Sequence, residues 1–348
     1  MQPWTLVKAF LAAFVLHLPS TQSVADRYEP ELGTSARSTL SYALRRASFL
    51  EMARRMWSVL DRCFPPFPAR EETLVALDSM PLTLPSTRRH GCRRINSAAV
   101  GGGVLWAFLI DAAHGVCPIQ ILRMIVGPWH DTRVVSQVKL VPRGPVYLMD
   151  RGFWCIELIR TWLQEEVRFV VRVTRESFVW RAVRRCGRAR TVAGGIRVEF
   201  DGLALLGGKT RNHKPLVRLV IAYLPNGEDL ILASDRMAWS AERLLEAYHQ
   251  RWHTERFHRI LKECVGLAHL YSFQENGLSF LLLVATLLAA LLVMGNEAAS
   301  GPTVEVLLAA LTSLRAVSGV TATAWRSNTA KRLKKHGERK RRSHAENH

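Results

Sequence analysis

Between residues 73 and 174 five short apolar segments are interrupted by one helical stretch, and that order restricts the fold more than any other feature of the chain. The segments are "TLVALDSM" (73–80), "GGVLWAFLIDAAHG" (102–115), "VCPIQILRMIVG" (116–127), "VYLMDRGF" (146–153) and "VRFVVRVT" (167–174). Each is rich in β-branched or aromatic residues and reads as a strand. The third is a candidate antiparallel partner of the second, and the fifth is apolar enough to be covered on both faces. "WCIELIRTWLQEE" (154–166) instead repeats its apolar residues at helical spacing. The order strand, strand, strand, strand, helix, strand predicts an α/β fold, a mixed sheet with helices packed against it.

The pattern changes on either side. Residues 175–238 alternate apolar and polar residues between glycines, as in "TVAGGIRVEFDGL" and "RLVIAYLPNGEDLILAS". Asn226-Gly227 between apolar runs is a hairpin signal. The segment reads as a β-rich insertion ahead of a long helix at 240–264, with Ser240 as N-cap and Glu242 and Glu246 in its first turns. "LSFLLLVATLLAALLVMG" (278–295) borders on membrane-spanning length. Its Ala and Thr content favours a buried helix. Residues 36–63 carry arginines along one helical face, which suits either DNA contact or solvent, and "FPPFP" (64–68) ends that region. The tail "WRSNTAKRLKKHGERKRRSHAENH" (325–348) is basic, poor in apolar residues and expected to be disordered alone. The expected organisation is a helical N-terminal region at 1–68, a candidate for DNA binding, the first part of a core at 69–174, the insertion at 175–238, the rest of the core at 239–320 and the tail at 321–348.

Of the 348 residues 48 % are hydrophobic, and the net charge is +19. A chain so basic calls for a polyanionic partner, either nucleic acid or an anionic membrane surface. The six cysteines form no CxxC pair and no zinc-spaced cluster. Scattered single cysteines fit a reducing compartment, so a cytoplasmic, nucleoid-associated protein is expected. "LVKAFLAAFVLHL" (6–18) has features of a signal peptide. The arginine-rich body that follows favours a packed N-terminal helix.

Two aspartates, Asp78 and Asp150, close predicted strands, where α/β sheets expose functional groups. Asp111 is expected in a turn, and Asp131, Asp201 and Asp235 in loops, so none of these four is a candidate. The helix "YHQRWHTERFHRILKE" (248–263) carries Tyr248, Arg251, Glu255 and Lys262 at steps of three, four and seven. At roughly 100° per residue, all four fall within about 60° of one another. Three carboxylates from two strands and one helix can converge on hard cations such as Mg²⁺, which would offset their mutual repulsion. His253 and His258 flank Glu255 and are expected to face solvent or phosphate. Trp180 and Trp239 are expected to pack in a core rather than stack on an unpaired base.

The spacing Tyr-(2)-Arg-(3)-Glu-(6)-Lys resembles the signature of one branch of the DDE transposases of bacterial insertion sequences. "DRGFW" (150–154) resembles that family's second block, and "LDS" (77–79) its first. The resemblance covers about residues 70–295. It implies a ribonuclease-H-like catalytic core with a β-rich insertion between the second Asp and the Glu. By the same carry-over, Asp78, Asp150 and Glu255 hold two Mg²⁺ ions, or Mn²⁺. Tyr248, Arg251 and Lys262 grip DNA phosphates. The implied activity is cleavage at transposon ends and transfer of the freed 3′-OH into target double-stranded DNA, by a homodimer assembled on DNA and with no membrane partner. A catalytically inert DNA-binding protein of the same fold, domesticated or degenerate, is the alternative.

Overall fold

A computed structural model describes residues 9–10, 13–14, 18, 21–28, 37–44, 73–82, 94–95, 98–99, 102–111, 115–126, 130–175, 179–207, 214–265 and 275–298. The helical reading of 45–63, the boundary at 64–68 and the basic tail lie outside these residues. The strands are β1 (Leu74–Leu82), β2 (Arg94–Ile95), β3 (Ala98–Ala99), β4 (Gly102–Asp111), β5 (Gly115–Val126), β6 (Val146–Met149), β7 (Arg168–Val173), β8 (Val179–Gly187), β9 (Arg190–Thr191), β10 (Arg197–Gly207), β11 (Leu216–Tyr223) and β12 (Asp229–Ser234). The helices are α1 (Thr21–Arg27), α2 (Arg37–Leu44), α3 (Asp131–Val135), α4 (Ile156–Gln164), α5 (Ala241–Gln250), α6 (His253–Arg259) and α7 (Glu275–Ala298).

Among the described residues one large mixed sheet runs in the order β5-β4-β1-β6-β7-β12-β11-β10-β8, with β9 beside β10, while β2 and β3 pair separately. All five expected core strands are present. β4 and β5 pair antiparallel, as the sequence predicts. β6 lies parallel to both β1 and β7, and α4 makes the crossover between β6 and β7. The strands of 175–238 continue this sheet, since β12 pairs antiparallel with β7. Their hairpin turns where Asn226-Gly227 predicts it: Gly227 takes φ +85°, and the Asn226 side chain accepts from the Glu228 amide at 3.1 Å.

Strand alternation sorts the core into two layers. Ala76, Met80, Trp106, Leu148, Val170 and Leu232 face one side, under α5, α6 and α7. Val75, Leu77, Tyr147, Met149, Phe169 and Val171 face the other, under α4 with its buried Ile159 and Trp162. Leu278, Phe280, Leu281 and Ala285 of α7 are buried, as expected for a core helix. Its polar Thr286 is satisfied within that core: the hydroxyl accepts from Trp106 Nε1 at 3.2 Å and donates to the Leu282 carbonyl at 2.6 Å. No helix among the described residues is long and apolar enough to cross a membrane.

The expected helix at 240–264 is not continuous. Ser240 caps α5 by accepting from the Arg243 amide at 3.2 Å. After Gln250 the backbone tightens, with i→i+3 bonds from the Arg251, Trp252, Thr254 and Glu255 amides. α6 follows, and a π-turn over Ile260–Cys264 then widens the helix. Hydrophobic periodicity does not reveal such local changes of pitch.

Asp201, expected in a loop, lies inside β10 and is buried. It bonds the buried Arg218 of β11 and also Arg190 at 3.0 Å. Arg190 reaches on to Glu242 of α5 at 2.7 Å, and Arg218 Nε donates to the Trp239 carbonyl at 3.1 Å. This buried network fastens the start of α5 to the sheet. Asp201→Ala leaves Arg218 buried without its counter-charge and should cost about 3–5 kcal/mol of stability. Arg190→Gln, at a more exposed position, should cost much less. Urea unfolding midpoints check both, and an unmoved midpoint for Asp201→Ala would contradict this assignment.

Candidate active site

β1 and β6 run parallel, and their last paired residues are Leu77 and Met149. Asp78 and Asp150 come next, on neighbouring strands about 4.8 Å apart. Asp150 follows the end of β6, whereas Asp78, expected to close its strand, lies in the middle of β1, which runs on to Leu82 beside β4. Both are half-buried. Asp78 Oδ1 accepts from the Ser79 amide at 2.9 Å. Asp150 opens the tight turn Arg151–Phe153.

The tightened helix delivers the facing groups. With close to three residues per turn, Tyr248 and Arg251 stack one above the other, and the guanidinium carbon lies 5.4 Å from the ring centroid. Tyr248 is buried, and its hydroxyl donates to Asp150 Oδ1 at 3.0 Å. Arg251 is buried as well, with one nitrogen 3.6 Å from Asp78 Oδ2 and another 3.6 Å from Glu255 Oε1. Thr254 Oγ1 sits 2.5 Å from Asp78 Oδ2 and 2.8 Å from the Arg251 carbonyl. His258 lies against Trp106 and Phe108, with Nδ1 3.8 Å from Asp78.

The electrostatics follow from burial and neighbours. Burial, with Asp150 alongside, pushes the Tyr248 phenol well above its ordinary pKa, so it stays protonated and remains a donor. Burial alone would lower the Arg251 pKa, but Tyr248, Asp150 and Asp78 more than offset this and the net shift is upward. Burial lowers the His258 pKa; Asp78 opposes the shift, while Lys262 and Arg251 add to it.

Asp78, Asp150 and the helical residues are thus brought together from positions up to 177 apart in sequence numbering, from Asp78 to Glu255. Glu255 joins through Arg251 and keeps its side chain 63 % exposed. Lys262 is exposed, at the π-turn. Tyr248 and Arg251 are turned inward toward the carboxylates rather than outward. As placed, no three His, Cys, Asp or Glu side chains among the described residues surround a common point. The chemistry of the donors still suits a hard cation. Asp78 offers oxygens from within β1 and Asp150 from just past the end of β6, and the exposed Glu255 has room to reorient off Arg251.

Two participants escaped the sequence reading. Thr254 sits within the helical motif but is not part of its spacing. Asp131, expected in a loop, opens α3 and accepts from the Ser79 hydroxyl at 2.6 Å. It also presses on the turn after Asp150, where a β-carbon on Gly152 would stand 2.4 Å from Asp131 Oδ2. Asp131 therefore links the residue after Asp78 in β1 to the turn after Asp150, and Gly152 supplies the room. Nearness in space between residues 79, 131 and 152 leaves no local signature. Gly152→Ala should destabilise the protein by about 1–3 kcal/mol through overpacking. Denaturant unfolding of both single variants and the double variant checks this, with a coupling of at least about 0.5 kcal/mol expected between Gly152→Ala and Asp131→Ala. Strict additivity would show that the two sites do not touch.

Comparison with known proteins agrees with this geometry. The family model described as "Transposase DDE domain" matches residues 70–292, more than half of the chain and all of the site. A curated protein of Geobacillus stearothermophilus, "Probable transposase for insertion sequence element IS5377", is 26 % identical over 147 residues, which cover 42 % of this chain and 38 % of that relative. The chain therefore belongs to the transposase DDE domain family.

Proposed function

We propose that the protein is a DNA transposase that cuts phosphodiester bonds at the ends of a mobile element and joins the freed 3′-OH to target DNA. The observation that carries this reading is the placement of Asp78 in β1 and Asp150 just past the end of the parallel neighbour β6, beneath a helix that brings Arg251 and Thr254 to Asp78 and Glu255 to Arg251. The mixed sheet flanked by helices is consistent with a ribonuclease-H-like core, and the family match supports action on DNA.

In this reading Asp78, Asp150 and Glu255 hold divalent cations, two Mg²⁺ or Mn²⁺ ions. When bound, these supply Lewis-acid stabilisation of the attacking and leaving oxygens. The remaining residues set the stage. Tyr248 orients Asp150 through its phenol proton. Thr254 and the Ser79 amide hold the two oxygens of Asp78. Arg251 offsets the carboxylate charge and releases Glu255 as the site fills. Lys262, the exposed cation of the motif, takes a DNA phosphate as a point charge, and Arg251 and Tyr248 reach phosphate only as the carboxylates reorganise. Hydrolysis places water's oxygen on the 5′-phosphate and leaves a 3′-OH. That hydroxyl then attacks a target phosphate, and the target's own 3′-oxygen departs. Two element ends must meet for joining, so the active species is a dimer on duplex DNA, in the compartment that holds the chromosome.

Asp78→Asn, Asp150→Asn and Glu255→Gln should each lower cleavage of an end-bearing duplex by about 10³-fold or more, the equivalent of roughly 4 kcal/mol of lost transition-state stabilisation. DNA affinity in chelator should be unchanged. Tyr248→Phe should give a smaller loss, accompanied by weaker Mn²⁺ affinity in calorimetry. Cleavage that survives each of the three carboxylate changes would exclude this site. A wild type that binds ends but never cuts them would point to an inert DNA-binding protein.

A further inference from the structure

The ladder between β1 and β6 stops one residue short of the two aspartates, at Leu77 and Met149. Beyond that point β1 keeps β4 as its partner, with Asp78 opposite Trp106 and Ser79 opposite Leu105. The chain leaving β6 instead enters the tight turn Arg151–Phe153. The ladder therefore does not set the spacing of Asp78 from Asp150. Asp131 bridges the gap. Its Oδ1 accepts from the Ser79 hydroxyl at 2.6 Å, and its Oδ2 lies against Gly152, where a β-carbon would stand 2.4 Å away.

Asp131 acts from the side of the sheet opposite the other two carboxylates. Successive residues of a strand point to opposite faces. Asp78 shares the face of Ala76 and Met80, where it meets Arg251, Thr254 and His258, and Asp150 reaches Tyr248 on the same side. Ser79 points to the other face, that of Leu77 and Met149, in the layer that holds Phe153 and Val134 and Val135 of α3. Asp131 opens α3 there. A carboxylate beneath the sheet is not placed to join Asp78 and Asp150 as a third donor. It acts on both through the chain. The Ser79 whose hydroxyl it holds is the residue whose amide donates to Asp78 Oδ1 at 2.9 Å. The turn it presses on is the one that Asp150 opens, closed by the Phe153 amide on the Asp150 carbonyl at 3.0 Å.

We propose that Asp131 is a positioning residue for the carboxylate pair: by holding the Ser79 hydroxyl and the Gly152 turn at once, it fixes the spacing at which Asp78 and Asp150 together receive a divalent cation. The inference rests on the transposase reading for the use of that cation. Groups that orient ligands without touching the ion change metal affinity by about 10- to 100-fold when removed. The two contacts of Asp131 lie on different strands, so loss of either lets one aspartate shift relative to the other. The sheet itself stays paired through β4 on one side and β7 on the other. The expected effect is therefore on cation affinity more than on folding.

The test measures Mn²⁺ affinity of the full chain by calorimetry, with urea unfolding of each variant beside it. Ser79→Ala and Asp131→Ala should each weaken binding about 10-fold. The double variant should bind no more weakly than the worse single one, because both changes remove the same contact. Asp131→Asn keeps an oxygen for the Ser79 hydroxyl and should lose less than about 3-fold, short of the loss expected when an orienting partner is removed. Thr132→Ala removes a neighbouring hydroxyl that meets His130 at 2.7 Å and should leave affinity unchanged. Equal losses in Asp131→Asn and Asp131→Ala, with Ser79→Ala unaffected, would make Asp131 a direct ligand and overturn the positioning role. Lowered urea midpoints with unchanged Mn²⁺ affinity would overturn it as well, leaving only a structural contact. Ser79→Ala decides the matter if Asp131→Ala does not fold. The two readings fail separately. Ends cut by the wild type, with an affinity indifferent to Ser79 and Asp131, remove only the positioning role. Weakened affinity in the variants of a protein that never cuts DNA removes only the transposase assignment. A wild type that binds no Mn²⁺ overturns both.

Discussion

Carboxylates gathered close together repel one another, and the buried guanidinium of Arg251 answers that repulsion from between Asp78 and Glu255. A charge buried this deeply is tolerable only where its partners are fixed. Asp78 is fixed by the parallel pairing of β1 with β6, by the Ser79 amide and by Thr254. Arg251 is fixed by the change of helical pitch that follows α5, which stacks it on Tyr248 and turns both side chains inward. A regular α-helix through 248–255 would separate Tyr248 and Arg251 by about 60° around its axis. The tightened turn removes that offset, so the local backbone geometry sets the electrostatics of the site.

The pitch change in turn depends on what holds the helix at either end. Upstream, Ser240 caps α5, and the chain of contacts from Glu242 through Arg190 and Asp201 to Arg218 ties its first turn to β10 and β11. Downstream, Phe257 packs on Phe108 at 5.1 Å between ring centroids, with Ile260 and Leu261 buried beside it. Strands from the β-rich segment therefore have two tasks: they extend the sheet, and they anchor the element that completes the site. That coupling gives a physical reason for the segment to stand between the second Asp and the Glu in the sequence. Glu255, on the solvent side of α6, is the group least restrained by this scaffold.

What the sequence disclosed and what it hid follow from the range of each interaction. Strand identities and the hairpin at Asn226-Gly227 depend on near neighbours and were legible. So were the cap at Ser240 and the buried character of α7. Asp150 follows its strand as the sequence predicts, but Asp78 lies within β1, because pairing with β4 carries the strand on to Leu82 and that pairing leaves no mark in the local pattern. Asp131 was not legible, because its partners Ser79 and Gly152 lie far away in sequence and a lone aspartate before a short helix looks like any loop residue. Asp201 was missed for a similar reason: its partner Arg218 is a strand away, and an acid within an apolar strand is readable only with its counter-charge in view. The inward turn of Tyr248 and Arg251 was hidden by the assumption of constant helical pitch.

The same distinction between satisfied and unsatisfied charge organises the molecule at larger scale. A net charge of +19 fixes the sign of the partner but not where it sits. At the carboxylate site the buried groups already face one another, Tyr248 on Asp150 and Arg251, Thr254 and His258 on Asp78, while Lys262, Arg256 and Arg259 stay exposed around them. Binding among the buried groups therefore exchanges one set of partners for another, whereas binding at the exposed cations displaces only solvent and counterions. Salt acts differently on the two: it screens the exposed cations strongly and the buried Arg251 contacts weakly.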